Sequence, residues 1–186
     1  MKPILFNTEN VISLLDGRKT VTRRVVKFPR GWNPKFTGYI PDGAVLYGSN
    51  NIPAAKAPYH PGDILWVRET WSRLETGPYL YKADNEKPLS YLGWRPSIHM
   101  PREAARIFLR VTDVRVERLD DMTTDDVFME GVFPTSTFEH IRDRWHQVWD
   151  STIKPKDRPT YGWEANPWVW VIEFERISGE MEAGKE

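Results

Sequence analysis

The chain has 186 residues, with 26 Lys and Arg against 26 Asp and Glu, and it contains no Cys. That is the length of one ordinary domain, enough to bury a core without disulfide or metal staples, and the missing Cys removes disulfide frameworks, Cys-based zinc sites and Cys nucleophiles together. No apolar run reaches the roughly 18 residues of a membrane span, and Met1–Asn7 has no signal-peptide core, so a soluble cytoplasmic protein is expected.

The zero net charge hides an asymmetry. Residues 1–60 hold 9 Lys and Arg against 3 Asp and Glu, and most of that excess lies between Asp16 and Lys35. A local basic patch permits a phosphate-bearing partner, whereas a protein that coats DNA would be basic throughout. Trp occurs 9 times and Pro 15 times. Together they point to long ordered loops with aromatic anchors.

Residues 8–16 read as a short helix. Thr8 is its expected N-cap, Val11, Ile12, Leu14 and Leu15 form its apolar face, and Gly17 suits the stop. The β-branched run at 20–26 reads as a strand. From Lys27 to Gly62 recurring Pro and Gly break any periodicity, so this stretch reads as a long loop or insertion. Pro61-Gly62-Asp63 is a turn into a strand at Ile64–Val67. Residues 78–83 read as another strand, and Trp94–Pro101 as extended or irregular chain, because residues before Pro avoid the helical region. Residues 106–118 alternate as one long strand with a bend near Thr112-Asp113. Thr123 and Asp126 predict a capping box for a helix through Glu130, ended by Gly131. Residues 138–149 read as a second helix with Ile141, Trp145, Val148 and Trp149 on one face. A closing strand at 168–177 and a frayed tail from Ser178 complete the chain. The order is not an alternation of strands and helices, so a small, mostly antiparallel barrel with helices at its rim is expected.

Candidate chemistry concentrates in Gly17-Arg18-Lys19-Thr20-Val21-Thr22-Arg23-Arg24. In a strand Thr20, Thr22 and Arg24 share one face, and Val21, Arg23 and Val25 share the other. Lys19 meets Thr22 only from a turn, which Gly17 makes available. A desolvated Lys beside other cations has a lowered pKa and can serve as a general base for a Thr nucleophile. The bland alternative is a basic sheet edge that deters aggregation or holds phosphate without chemistry.

The pattern Gly17-x-Lys19-x-x-Thr22-x-Arg24 resembles the signature of the ASCH domain, a relative of the PUA domain with a small β-barrel fold. Many members carry Gly-x-Lys-x-x-Glu-x-Arg. With Thr at the Glu position, this segment is similar to the bacterial ASCH-type N(4)-acetylcytidine amidohydrolases. Pro61–Leu65 and Trp170–Phe174 resemble the family's turn with its second strand and its last strand. The resemblance implies Lys19 as activating base, Thr22 as nucleophile and Glu130 as the third member. Water activated by Lys19 or Glu130 is an equally compatible attacker. A backbone N–H near Thr20, or the Arg24 guanidinium, would hold the oxyanion. The match falls on separated blocks and leaves out residues 27–60 and 70–105. The blocks Leu65–Trp71 and Trp94–Pro101 resemble a longer subgroup found in phages and prophages.

The expected fold is therefore α+β, mostly β: a PUA-like (ASCH) barrel over residues 1–177 with short helices at the rim, insertions at about 27–60 and 70–105, and a flexible tail over 178–186. The expected partner is a modified nucleoside or a nucleic acid, RNA or single-stranded DNA. Arg18, Arg23, Arg24, Trp66, Arg68, Glu69, Trp71 and Trp94 are the candidate substrate- and phosphate-binding residues, the tryptophans by stacking on a base. Trp66, Trp71 and Trp94 can instead pin the insertions to the barrel. Trp145 and Trp149 are expected in the core, with Trp168 and Trp170 half in it. Tyr81 and Tyr91 fit either use. The four His, at 60, 99, 140 and 146, show no ligand spacing, so neither a metal nor a cofactor is expected. Two further classes stay open: a nucleic-acid reader without catalysis, and a phage accessory protein that keeps the fold alone.

Overall fold

Strand-forming residues dominate the segments that pair, and their order sets the sheet. The structure is a computed structural model that describes residues 1–28, 45–47, 53–73, 77–84, 93–132 and 141–177. The elements in chain order are β1 (Lys2–Leu5), α1 (Thr8–Leu15), β2 (Val21–Val25), β3 (Val45–Tyr47), β4 (Pro53–Lys56), β5 (Ile64–Arg68), β6 (Trp71–Arg73), β7 (Tyr79–Tyr81), β8 (Phe108–Arg118), α2 (Thr124–Met129), α3 (Ile141–Thr152), α4 (Arg158–Tyr161) and β9 (Trp168–Ile177). Several short 3₁₀ turns lie between them. The fold is α+β. Its main sheet has the order β1-β5-β8-β9-β2, with two small hairpins, β3-β4 and β6-β7, beside it.

β9 explains the architecture. It pairs antiparallel with β8 on one side and with β2 on the other. Its residues alternate between two cores. Trp170, Ile172 and Phe174 join Ile4, Phe6, Leu65, Val67, Leu109 and Val111 under α1, which contributes Val11 and Leu14. Val169 and Val171 join Val21, Leu119, Val127, Ile141, Trp145 and Trp149 under α2 and α3. A strand buried on both faces needs a near-continuous apolar run, and Trp-Val-Trp-Val-Ile supplies it. A third, smaller cluster of Trp71, Met100 and Ala104 packs the β6-β7 hairpin against the 3₁₀ turns of the same insertion.

β8 carries its irregularity between Val111 and Asp113. Trp145 and Trp149 are core residues, and Trp170 is buried while Trp168 is partly so. The first helix is capped by Asn7 rather than Thr8: the Asn7 side-chain oxygen accepts the Asn10 N–H at 2.9 Å. Either type can cap, and the helix simply starts one residue earlier.

Other expectations are corrected. The described pairings are mostly antiparallel as expected, but β1 pairs parallel with β5, so the sheet is mixed. Pro3 hides this strand from the sequence, yet a Pro fits an edge strand, where its missing N–H costs no ladder bond. A closed barrel does not form among the described strands, since β1 and β2 remain the two edges. What links these edges is a side chain, with Arg24 Nη2 donating to the Leu5 carbonyl at 2.8 Å. The insertion at 27–60 is not mere loop. It carries β3 and β4, and Ala57 sits in the core. Among its described residues the insertion at 70–105 carries β6, β7 and three 3₁₀ turns. Much of the first insertion, Tyr91, residues 138–140 of the second expected helix, and the tail from Ser178 lie outside the described residues.

The capping box of α2 is present as expected, and Asp126 is its pivot. Its carboxylate accepts from the Thr123 N–H at 2.8 Å, from the Thr123 hydroxyl at 2.7 Å and from Arg23 Nη2 at 2.8 Å. Burial pushes this carboxyl up, but those hydrogen bonds outweigh it and hold the pKa below the ordinary Asp value. The stabilisation is therefore complete above pH 3.8 and is lost as pH falls through the lower folded-state value. Asp126→Asn is expected to lower stability by about 1–2 kcal/mol near neutrality. The gap from the parent should close in acid, which thermal unfolding across pH would read. A gap independent of pH would refute the charged role.

Candidate functional site

The polar cluster takes shape where α1 ends. Gly17 adopts φ +71°, and the next two N–H groups, of Arg18 and Lys19, both donate to the Ser13 carbonyl. The turn throws residues 18–20 alongside the end of α2. Lys19 forms an antiparallel bridge with Glu130, and the Thr20 N–H donates to the Met129 carbonyl at 2.9 Å. On the other side the Thr20 carbonyl accepts from the Phe174 N–H. The segment is thus clamped between α2 and β9 before β2 begins.

Gly131 permits this closeness. It has φ +81°, and a Cβ built there would lie 2.7 Å from the Ser13 Cβ and 3.1 Å from the Lys19 Cβ. Its carbonyl accepts from the Ser13 hydroxyl at 3.1 Å.

Lys19 and Glu130 consequently meet inside the protein. Lys19 Nζ donates to Glu130 Oε2 at 2.5 Å and to the Glu130 carbonyl at 2.9 Å, with side-chain exposures of 1% and 2%. The far carboxylate oxygen, Oε1, lies 3.5 Å from Arg23 Nη1. Arg23 arrives from the opposite face of β2 with no exposed side-chain surface, and Asp126 at 2.8 Å and Glu117 at 3.6 Å complete its surroundings. Burial lowers the Lys19 pKa. Glu130 opposes the shift by charge and hydrogen bond, while Arg24 and Arg23 add to it. The Phe6 ring sits beneath the cations, with Lys19 Nζ 5.6 Å and the Arg24 guanidinium 5.3 Å from its centroid.

Thr22 lies on the same face of β2 as Arg24 and is 4% exposed. It stands opposite Ile172 as Arg24 stands opposite Trp170. The structure therefore brings Lys19 and Arg24 to one ring, with Glu130 paired to Lys19 and Thr22 on the same strand face as Arg24. Arg23 belongs to the carboxylates behind β2 and offers nothing to a phosphate. Arg18 is turned outward to Asp16 at 2.6 Å.

The tryptophan-flanked candidates form a separate group. Glu69 is buried and receives a two-pronged bond from Arg106, with Nε to Oε1 and Nη2 to Oε2 both at 2.9 Å. Burial raises the Glu69 pKa against that pairing. Arg106 also holds Asp84 at 2.6 Å and lies 3.9 Å from the Tyr81 ring centroid. Trp71 is 4% exposed, packs at 5.7 Å from Tyr79 and carries Arg95 over its face. Arg68 lies over Trp66 and donates to the Ile98 carbonyl. Trp94 is half-buried. These contacts pin the second insertion to the body, so Trp71 has no face left for a base.

A cleft of about 410 Å³ opens between the β1 and β2 edges. Arg24, Lys27, Lys56, Tyr59 and Trp170 line it with apolar residues of β1. Sequence reasoning missed Lys56, Tyr59 and Phe6, which come from the first insertion and from the link after β1. No local pattern placed either beside β2. Among the described residues there is no group of three His, Asp or Glu side chains placed to hold a metal ion. No described helix is long and apolar enough to cross a membrane.

No family model matches the chain, and no curated protein matches it. Among solved structures, it is similar to the crystal structure of protein EF3133 from Enterococcus faecalis V583, described by the family model DUF984. The identity is 10%, the match covers 96% of this chain and 82% of that one, and the TM-score is 0.46. A likeness of that degree carries no argument about function.

Proposed function

We propose that the protein binds a modified nucleoside, free or within a nucleic acid, as an open ASCH-type relative of the PUA fold, and hydrolyses an N-acylated pyrimidine such as N(4)-acetylcytidine. The observation that carries this reading is the 2.5 Å contact between Lys19 and Glu130, formed by residues 111 positions apart. Lys19, its pKa lowered by burial, takes the Thr22 hydroxyl proton. The Thr22 oxygen attacks the acyl carbonyl carbon, and the Arg24 guanidinium faces the oxyanion. Collapse breaks the C–N bond, and the proton passes from Lys19 to the departing amine. Water, deprotonated by the same Lys, then attacks the Thr22 ester carbonyl; the C–O bond to Thr22 breaks, Lys19 returns the proton to the Thr22 oxygen, and the acid leaves. Glu130 holds the Lys19 amine in place, and Lys19, having passed its proton to the departing amine, is neutral again for the next step.

A second reading has its own support. Lys19 and Glu130 are almost sealed from solvent, and neither borders the cleft. Under it the pair is a strut that shapes β2, and the protein binds its ligand without turning it over.

Incubation with N(4)-acetylcytidine separates the two. Release of cytidine and acetate, reduced about a hundredfold or more by Lys19→Ala or Thr22→Ala, supports the hydrolase. Each variant must retain its circular-dichroism spectrum. No release by the parent protein leaves the binding reading alone, while release that survives Thr22→Ala but not Lys19→Ala assigns the attack to water.

A further inference from the structure

We propose that the cleft between β1 and β2 is a phosphate-accepting site, built so that the ligand is a nucleotide, free or within a strand, rather than an uncharged nucleoside. This deepens the binding reading above and rests on it. Lys+Arg and Asp+Glu are equal in the chain as a whole, yet the described lining holds Arg24, Lys27 and Lys56 and no carboxylate. The three cations come from different places. Arg24 lies within β2 and Lys27 just beyond it, while Lys56 ends β4 on the far wall. Arg24 and Lys27 belong to the basic stretch between Asp16 and Lys35, and the fold brings Lys56 to them.

Arg24 is the anchor. Its side chain packs on the Phe6 ring, and it makes no ion pair among the described residues. Its hydrogen bond to the neutral Leu5 carbonyl fixes the guanidinium without cancelling the charge. Burial also depresses its pKa, against the opposing charge of Glu130. A guanidinium held this way gains a planar, two-pronged bond from a phosphate oxygen pair. Lys27 and Lys56 are exposed and can close over a dianion from either side.

The rest of the lining suits a base and sugar. Tyr59, whose hydroxyl donates to the Pro3 carbonyl at 2.8 Å, presents aromatic surface, while Trp170, a core residue 4% exposed, only borders the cleft. The volume lies within the range of small-molecule sites, roughly 300–1,000 Å³.

The test is a calorimetric titration of the whole protein with cytidine, cytidine 5′-monophosphate, a short oligocytidylate and inorganic phosphate. The monophosphate is expected to bind at least about tenfold more tightly than cytidine. Lys27→Gln combined with Lys56→Gln should erase most of that advantage. Lys154→Gln combined with Lys156→Gln removes as much charge from another exposed site and should leave it intact. An oligocytidylate that binds more tightly than the monophosphate, with affinity falling steeply between about 50 and 200 mM salt, assigns the phosphate to a strand; equal or weaker binding assigns it to a free nucleotide. Equal affinity for cytidine and its monophosphate, an advantage that survives the Lys27/Lys56 change, or no binding by either overturns the proposal. Acetyl release without phosphate preference would refute this site and spare the hydrolase. Phosphate preference without acetyl release would do the reverse.

Discussion

Glu130→Ala is expected to destabilise the protein by about 3–5 kcal/mol, the usual cost of removing one partner of a buried ion pair. The change strands one cation and takes a neighbour from another, which keeps Asp126 and Glu117. Lys19 loses both its charge partner and its 2.5 Å hydrogen bond, keeping only the bond to the residue-130 carbonyl, and Arg23 loses a neighbour at 3.5 Å. At 1% exposure the Lys19 amine has no solvent to turn to. Its pKa falls further, and it folds uncharged or not at all. Urea unfolding should show a lower midpoint with an unchanged slope. The reciprocal experiment sharpens the point. Replacing the pair together, by Lys19→Met with Glu130→Leu, removes both charges and keeps the volume, so its cost should fall well below that of either Lys19→Ala or Glu130→Ala. A double variant as unstable as the sum of the singles would mean the two groups do not act as a pair.

Gly131→Ala should cost about 2–4 kcal/mol, combining the left-handed backbone with overpacking. The new methyl group would lie 2.7 Å from the Ser13 Cβ and 3.1 Å from the Lys19 Cβ, and neither can swing away as the tip of a long side chain could. Relief requires α1 and the end of α2 to separate, which pulls Lys19 from Glu130. The variant should therefore lose whatever function Lys19 supports along with stability. A companion change, Ser13→Gly, removes the closest obstacle and should recover part of the loss. Gly17 offers an internal control: its φ is +71° but nothing lies within 4 Å of a built Cβ. Gly17→Ala should pay only the conformational part, about 1–2 kcal/mol. Equal losses at the two positions would argue against the close-packed junction.

The elements legible in the sequence were those with strong periodicity or paired signals. α1, β2, β5, β8, the capping box of α2 and β9 all announce themselves through apolar spacing or turn residues. The meeting of Lys19 with Glu130 was reached through a family resemblance, not spacing, because 111 residues separate them and no local rule joins them. β1 stayed hidden because four residues with a Pro carry no period. The sheet edges could not be read either, since strand order depends on pairings that nothing in a single strand encodes. Arg23 and Arg24 show the limit most clearly. They are adjacent and chemically identical, yet one faces carboxylates behind the sheet and the other faces a cleft in front of it. Alternation says they part; only the packing of α2 says which side holds the acids. Trp71 and Trp66 likewise read as stacking candidates; in the fold Tyr79 and Arg95 pack on the nearly buried Trp71, and Arg68 lies over the Trp66 ring.

The two-sided burial of β9 has a consequence for how the chain is made. Every core strand before it emerges from the ribosome with at least one hydrophobic surface unmatched. Trp170, Ile172 and Phe174 close one apolar centre and Val169 and Val171 the other. Neither can be completed until synthesis passes this segment, so the nascent polypeptide carries both unfinished and should need protection from aggregation until then.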